Sequence, residues 1–304
     1  MIKPTIKGYE VLDTVGNGAG SIVYRAMDIA RQRLVAIKHV TRKTVAAIEK
    51  ARRSGRTGNG RVGTHARLPY DSFFAQVRNE HRVLRTLDRN SYSPHILKVY
   101  DLITVRRFFR ISGYDLVTEF IDGHSLREKR DYPMIELIRY FRQAASALAY
   151  LHAHKILHAD MKPHHVFIAA DGTAKLIDFG QARFFADPPG RIQGTVDFMA
   201  PEQAKGKPVD ARTDVYGLGA TMYWALTGQA NRPALSGMGG GVGFTVGYAG
   251  RADSVREKNP DCPPALDTLV IACCERRPEK RPKSMAEVMA RLDAILKAAP
   301  AEDA

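Results

Sequence analysis

The sequence predicts an α+β protein, with a small β-rich lobe first and a large α-helical lobe after it. Two observations carry that reading: β-rich runs gather in the first third of the chain, and helical patterns dominate from about residue 124 onward. A third is a glycine-rich turn set between the first two β-rich runs, where a helix would have no use for it.

Tyr9–Val15 and Ile22–Met27 flank that turn, and Leu34–Val40 reads as a third strand. From Asp71 the apolar residues Phe74, Val77, Val83, Leu84 and Leu87 recur near a 3.6 period. This predicts the one key helix of the small lobe, with Asp71 or Ser72 as its cap. Further strands are expected at Ile96–Val105 and Tyr114–Phe120. Pro133 then opens an amphipathic helix carrying Ile135, Ile138, Phe141, Ala145, Leu148 and Leu151. Val166–Ala169 and Ala174–Ile177 read as short strands joined at Asp171-Gly172. The rest is helical, with Val215–Leu226 a buried helix, except for a stretch at 237–250 holding seven glycines in fourteen residues.

Composition narrows the class. With 304 residues, 44% hydrophobic and 26% charged, the chain is long and apolar enough for one large domain or two lobes with cores of their own. Three cysteines, Cys262, Cys273 and Cys274, have neither the number nor the spacing of a disulfide framework or a zinc site. Met1–Glu10 is mixed and polar, and no run approaches the roughly 20 apolar residues that cross a bilayer. A cytoplasmic setting with no membrane segment is expected. The net charge of +14 is uneven, because residues 39–70 hold eight Lys/Arg against the single acid Glu49. That segment, with its glycines, is expected to be a flexible basic insertion at 41–70. A solvated loop, a dock for an acidic partner and a nucleic-acid arm are its three readings, and the near absence of aromatics there speaks against nucleic acid.

The chemistry begins at Gly16-Asn17-Gly18-Ala19-Gly20-Ser21-Ile22-Val23. Glycines let a backbone approach phosphates closely, although a tight hairpin turn has the same look. A dinucleotide-binding motif would open a helix, and here a β-rich run follows. In Val35-Ala36-Ile37-Lys38, a lysine sits on an apolar strand fifteen residues beyond Val23. Its ammonium is costly there without partners. Phosphate oxygens and a helix glutamate would serve, and Glu80 is the natural choice, although Glu80 alone would read as a solvated helix face.

His158-Ala159-Asp160-Met161-Lys162-Pro163-His164-His165 follows, with Asp178-Phe179-Gly180 eighteen residues after Asp160. Ala200-Pro201-Glu202, Asp214-Val215-Tyr216-Gly217-Leu218-Gly219 and Arg281 complete an ordered set. In these motifs the chain resembles the eukaryotic-type serine/threonine protein kinase family across roughly residues 8–297. The resemblance implies a bilobal kinase fold, with an N-lobe over about 8–120, a C-lobe over about 124–297 and a short tail at 298–304. It implies ATP and a protein as substrates, with Mg2+ as the metal. Gly16, Gly18 and Ser21 would cover the phosphates, and Lys38 would grip them while pairing with Glu80. Val23, Ala36 and Phe167 would sandwich the adenine, Thr118 would be the gatekeeper, and the backbone of Glu119 and Ile121 would bond the adenine edge. Asp160 would take the substrate proton, Lys162 would steady the γ-phosphate and Asp178 would hold the metal. Glu202 and Arg281 would form a buried ion pair, and Asp214 would brace the catalytic loop. Asp160-x-Lys162 and Thr195 resemble the serine/threonine branch.

Two positions depart from the family. Ala159 stands where many kinases carry an arginine that pairs with a phosphorylated activation loop, and residues 181–194 contain no Ser, Thr or Tyr. Activity is therefore expected not to need phosphorylation there. His165 stands at the metal-binding asparagine, and imidazole nitrogen suits manganese or zinc better than magnesium. Catalysis with one metal on Asp178, catalysis with His165 as a ligand and a shift toward Mn2+, and a pseudokinase that senses nucleotide or acts as a scaffold are the readings this leaves. His164 is expected to be a solvated loop residue, and His158 a core brace acting through imidazole hydrogen bonds. A small-molecule phosphotransferase is disfavoured, because Ala200-Pro201-Glu202 and the 213–228 helix build a peptide platform in the family.

Overall fold

The computed structural model describes residues 3–18, 20–53, 70–90, 93–187, 195–231, 236–237, 244–245 and 253–299. The chain divides into two units, Met1–Ser91 with Leu97–Ile121, and Tyr92–Ile96 with Asp122–Ala304.

The first unit is built on a five-stranded antiparallel sheet. Its strands are β1 (Tyr9–Asn17), β2 (Ile22–Asp28), β3 (Arg33–Thr41), β4 (Val99–Arg107) and β5 (Arg110–Glu119), in the order β1-β2-β3-β5-β4. β2 alternates buried and half-buried residues throughout, the period-2 signature of a strand with one covered face. Ala26, Val35, Ile37 and Val117 form a core with Ile6. Alternation puts Ala36 and Lys38 on the other face, and the register sets Val23 opposite Lys38 and Thr118 opposite Ala36. Directly opposed residues share a face, so Val23, Ala36, Lys38 and Thr118 lie together.

Helix α1 (Arg42–Arg53) corrects the flexible-insertion expectation for the first part of 41–70. The Thr41 hydroxyl accepts from the Thr44 N–H at 3.1 Å and so caps the first turn. Val45 is fully buried and Ile48 half-buried, a stripe one turn long that the surrounding cations and alanines obscure in the sequence. The remainder of that segment, 54–69, lies outside the described residues.

Helix α2 (Tyr70–Asn90) starts one residue before its expected cap. Asp71 lies inside the first turn, where the helix dipole favours a carboxylate. Its buried row runs Phe73, Phe74, Val77, Glu80, Val83, Leu84 and Leu87, each apolar member worth about 1.5–3 kcal/mol when covered. Glu80 occupies an apolar stripe at helical spacing, so it is a buried acid and not a solvated one.

The second unit is mostly helical. In chain order it contains β6 (Gly123–Ser125), α3 (Met134–Ala153), β7 (Ile156–Leu157), β8 (Val166–Ala169), β9 (Ala174–Leu176), β10 (Arg183–Phe184), α4 (Pro201–Ala204), α5 (Ala211–Thr227), α6 (Pro264–Cys273) and α7 (Met285–Ala298). β6-β8-β9 form one small sheet and β7-β10 another. The run expected as one strand from Ile96 is shorter, because β4 begins at Val99. Ile96 instead bridges Leu176, and the Leu176 N–H donates to the His95 carbonyl at 2.8 Å. α5 is the core helix, with every residue from Thr213 to Leu226 buried. Gly217 lets Met161 approach it, since a β carbon there would sit 2.9 Å from the Met161 side chain. The three cysteines are buried free thiols. Of the glycine-rich 237–250 stretch only Gly237 and Phe244–Thr245 are described, in a short antiparallel pairing with Ser236 included. No helix among the described residues is long and apolar enough to cross a membrane.

Candidate active site

The site residues fall into two sets, one in each unit. In the first, the Lys38 ammonium meets the Glu80 carboxylate at 2.7 Å, with Glu80 only 2% and Lys38 22% exposed. The glycine-rich turn precedes β2, and the Gly18 N–H donates to the Ser21 carbonyl at 2.8 Å. Gly20 lies so close to the Phe73 ring that a β carbon would stand 2.5 Å from it. The turn therefore rests on the first coil of α2, the helix that carries Glu80. Nothing in the sequence marked Phe73 for that part. Ala19 lies outside the described residues. At the end of β5 the Glu119 N–H is spent on the Lys98 carbonyl at 2.9 Å, so an adenine bond from Glu119 would use its carbonyl. The Thr118 hydroxyl donates to that same carbonyl at 3.2 Å.

In the second unit Asp160 is held from two sides. Its Oδ2 accepts from Lys162 Nζ at 2.9 Å, and its Oδ1 accepts from the Thr195 N–H at 3.0 Å. Lys162 also donates to the Thr195 hydroxyl at 2.9 Å, closing a triangle. Below it, the buried Asp214 carboxylate accepts from the His158 and Ala159 N–H groups, both at 2.9 Å, and from His152 Nε2 at 2.8 Å. Burial alone would raise its pKa, but His152 and the backbone donors outweigh burial and hold the carboxyl below its usual range. Ala159 is left-handed, φ 62°, a strained state for a residue with a β carbon. Asp214 fixes its N–H, and Gln203 Nε2 fixes its carbonyl at 2.7 Å. Neither His152 nor Gln203 was visible as a partner in the sequence. A small pocket beside Asp160 is lined by Thr195, Phe198, Met199 and Gln203.

His158 is fully buried, but its part differs from the expected hydrogen-bonded brace. Its Nδ1 receives only a long contact from the Asp160 N–H, 3.4 Å, and its Nε2 has no partner among the described residues. It acts by packing, with its ring 5.2 Å from that of the buried Phe179. Burial pushes its pKa down. His164 is exposed, as expected of a loop residue.

His165 is buried and its tautomer is set. Nδ1 lies 2.8 Å from the Asp160 carbonyl, which can only accept, so Nδ1 carries the proton and Nε2 the lone pair. Burial, reinforced by Lys162, pushes its pKa down to about 3, so the ring is neutral at physiological pH. Nε2 stands 3.7 Å from Asp178 Oδ2, too far for a hydrogen bond. Asp178 is itself left-handed, φ 64°, with its carboxylate 40% exposed and the Gly180 N–H on Oδ1 at 3.2 Å. A lone pair and a carboxylate facing each other without an intervening proton suit a divalent cation, so these two residues fit one. Phe167 lies half-buried on β8, across from Ser125.

The ion pair expected of Glu202 and Arg281 is present. Two parallel contacts of 2.7 and 2.8 Å join them, and Arg281 also donates to the carbonyls of Glu275, Arg212 and Arg276.

A β-rich unit with a strand lysine paired to a helix glutamate, and a helical unit with an Asp-x-Lys loop and a second aspartate, are the two halves of a kinase. The chain belongs to the protein kinase domain family, whose model matches residues 9–291. It is similar to the serine/threonine-protein kinase PknB of Mycobacterium leprae, 32% identical over 97% of this chain and 44% of that protein. It is also similar to the probable serine/threonine-protein kinases SCO3848 of Streptomyces coelicolor (29%, covering 96% and 40%) and CA_C1728 of Clostridium acetobutylicum (26%, covering 94% and 40%). The chain spans less than half the length of these relatives.

Proposed function

We propose that this chain transfers the γ-phosphate of ATP to serine or threonine hydroxyls of protein substrates. The observation that carries the reading is the Asp160–Lys162–Thr195 triangle. Thr195 and Lys162 hold the Asp160 carboxylate in one orientation, ready to accept the substrate proton. The hydroxyl oxygen attacks the γ-phosphorus, the bond from that phosphorus to the β–γ bridging oxygen breaks, and ADP leaves. Lys162 balances charge on the transferred group. Lys38, held by Glu80, binds the other phosphates, with the backbone of Gly16, Gly18 and Ser21 over them. Val23, Ala36 and Phe167 hold the adenine, and the backbone of Glu119 and Ile121 bonds its edge beside Thr118.

Asp178 and His165 would hold the divalent cation, whose contribution is to neutralise phosphate charge. With nitrogen as one donor, Mn2+ is favoured relative to Mg2+ more than with the usual all-oxygen set. Activation-loop phosphorylation is not required in this reading: position 159 carries no cation, and the Thr195 hydroxyl is already engaged by Lys162.

The test is radiolabelled γ-phosphate transfer to matched serine, threonine and tyrosine peptides, in Mg2+ and in Mn2+, with Asp160→Asn alongside. Transfer to the first two that Asp160→Asn abolishes is expected. Silence in both metals, with the variant indistinguishable from wild type, would leave the pseudokinase reading that His165 raises. A phosphate found within 181–194 on active protein would contradict the loop assignment.

A further inference from the structure

We propose that the turn Arg127–Arg130 is a docking site for acidic residues of the peptide substrate, a reading that rests on the kinase assignment above. The turn follows β6, which pairs with β8, the strand that leaves the catalytic loop. Ser125 pairs with Phe167, and the Leu126 N–H donates at 2.9 Å to the carbonyl of Val166, the residue after His165. Leu126 is fully buried, and the Ser125 carbonyl accepts from the N–H groups of Glu128 and Lys129 at 3.0 and 3.2 Å.

Three exposed cations project from this frame, each held by an aromatic ring. The guanidinium carbons of Arg127 and Arg130 lie 4.6 and 5.0 Å from the ring centre of Trp224, and Lys129 Nζ lies 4.8 Å from that of Tyr132. Among the described residues none of the three has a carboxylate partner. The acid inside the turn, Glu128, is drawn back onto Ser125, whose N–H and hydroxyl donate to its Oε2 at 2.7 and 3.0 Å. Gly228, φ 74°, makes room for the arrangement. A β carbon there would stand 2.0 Å from an Arg130 guanidinium nitrogen, so the cation lies against the C-terminal end of α5, where the helix dipole favours it.

Two guanidinium groups gathered on one indole repel each other, and a carboxylate placed against both relieves that repulsion. The patch is also tied by backbone to the strand that leaves the catalytic loop, through Leu126 and Val166. The cations are preordered and, among the described residues, without a carboxylate partner, and Ser125, two residues before Arg127, pairs with Phe167, two residues after His165. A peptide with Asp or Glu flanking its serine suits such a surface, and a lysine-rich peptide is repelled by it. Acid recognition is thereby assigned to the helical unit, in place of the basic 41–70 segment.

Trp224 is the single tryptophan of the chain, so it reports on this site directly. The experiment titrates Trp224 fluorescence with three serine peptides carrying acidic, neutral or basic flanks, and measures kcat/KM for each, in wild type and in Arg127→Glu/Arg130→Glu. Expected are a saturable fluorescence change with the acidic peptide alone, and an acidic-to-basic ratio of kcat/KM that falls about tenfold or more in the double variant, the order given by two exposed charge pairs. If that variant does not fold, Arg127→Gln and Arg130→Gln singly are expected to shift the ratio in the same direction. Fluorescence indifferent to the acidic peptide, a preference for basic flanks, or an equal response to a mixed DNA duplex at physiological salt would overturn the proposal. Binding without phosphoryl transfer would support the dock and count against the kinase reading instead.

Discussion

Two buried glutamates in this molecule are each paired with a cation, and they differ in how closed the socket is. Glu202 meets Arg281, whose side chain is fully buried and also donates to three backbone carbonyls. Glu80 meets Lys38, whose side chain keeps 22% of its surface. A guanidinium with its donors spent on protein is a structural part, whereas an ammonium partly open to solvent can serve an incoming anion as well as its own glutamate. Acid–base pairing thus fills a closed socket in one unit and leaves a cation partly open to solvent in the other.

The sharpest way to break this contrast is to remove the cations. Arg281→Met leaves Glu202 charged and unpaired in a closed socket, and should cost about 3–5 kcal/mol of stability, read from the urea midpoint. Lys38→Met should cost about 1–2 kcal/mol in the same measurement. Its main effect should be a loss of γ-phosphate transfer by about 10²–10³ in kcat/KM. Equal destabilisation by both would mean that the Lys38 pair is structural too.

A smaller effect separates the two halves of the catalytic loop. His165 is held at about 3 when folded, against an ordinary value of 6.5. Unfolding therefore takes up a proton between those values, so the stability linked to His165 is complete above pH 6.5 and drains away as pH falls. In metal-free buffer, wild type should lose about 2 kcal/mol more than His165→Asn between about pH 6.5 and 5. Parallel stability curves for the two proteins would contradict the burial assigned to the ring. The smallest effect is expected of Thr195→Val, which removes the hydroxyl from the Asp160–Lys162 triangle but keeps its N–H. About tenfold in kcat, about 1.4 kcal/mol, should be lost with KM for ATP unchanged. A change in KM alone would place Thr195 in nucleotide binding.

Much of this was legible in the residues. β-rich runs placed β1, β2, β3 and β5, the 3.6 period placed α2 and α3, each of which buries one face, and an unbroken apolar run placed α5, which is buried all round. The Lys38–Glu80 pairing could be read because a strand lysine demands a partner. α1 could not, since its apolar stripe is one turn long and set among cations. The split of the Ile96 run was hidden because hydropathy does not say which partner strand a residue will choose. The tautomer of His165, the strain at Ala159 and Asp178, and the Arg127–Trp224 stacking all depend on atoms brought together by the fold, and no local pattern encodes them.

The most direct test of the account is a double-mutant cycle on ATP affinity, measured by calorimetry with the divalent cation present, using Lys38→Met, Asp178→Asn and both together. If the two residues hold the same triphosphate, the loss in the double variant should fall short of the summed single losses by more than about 0.5 kcal/mol. Losses that simply add would contradict the proposal that Lys38 and Asp178 both act on one bound nucleotide.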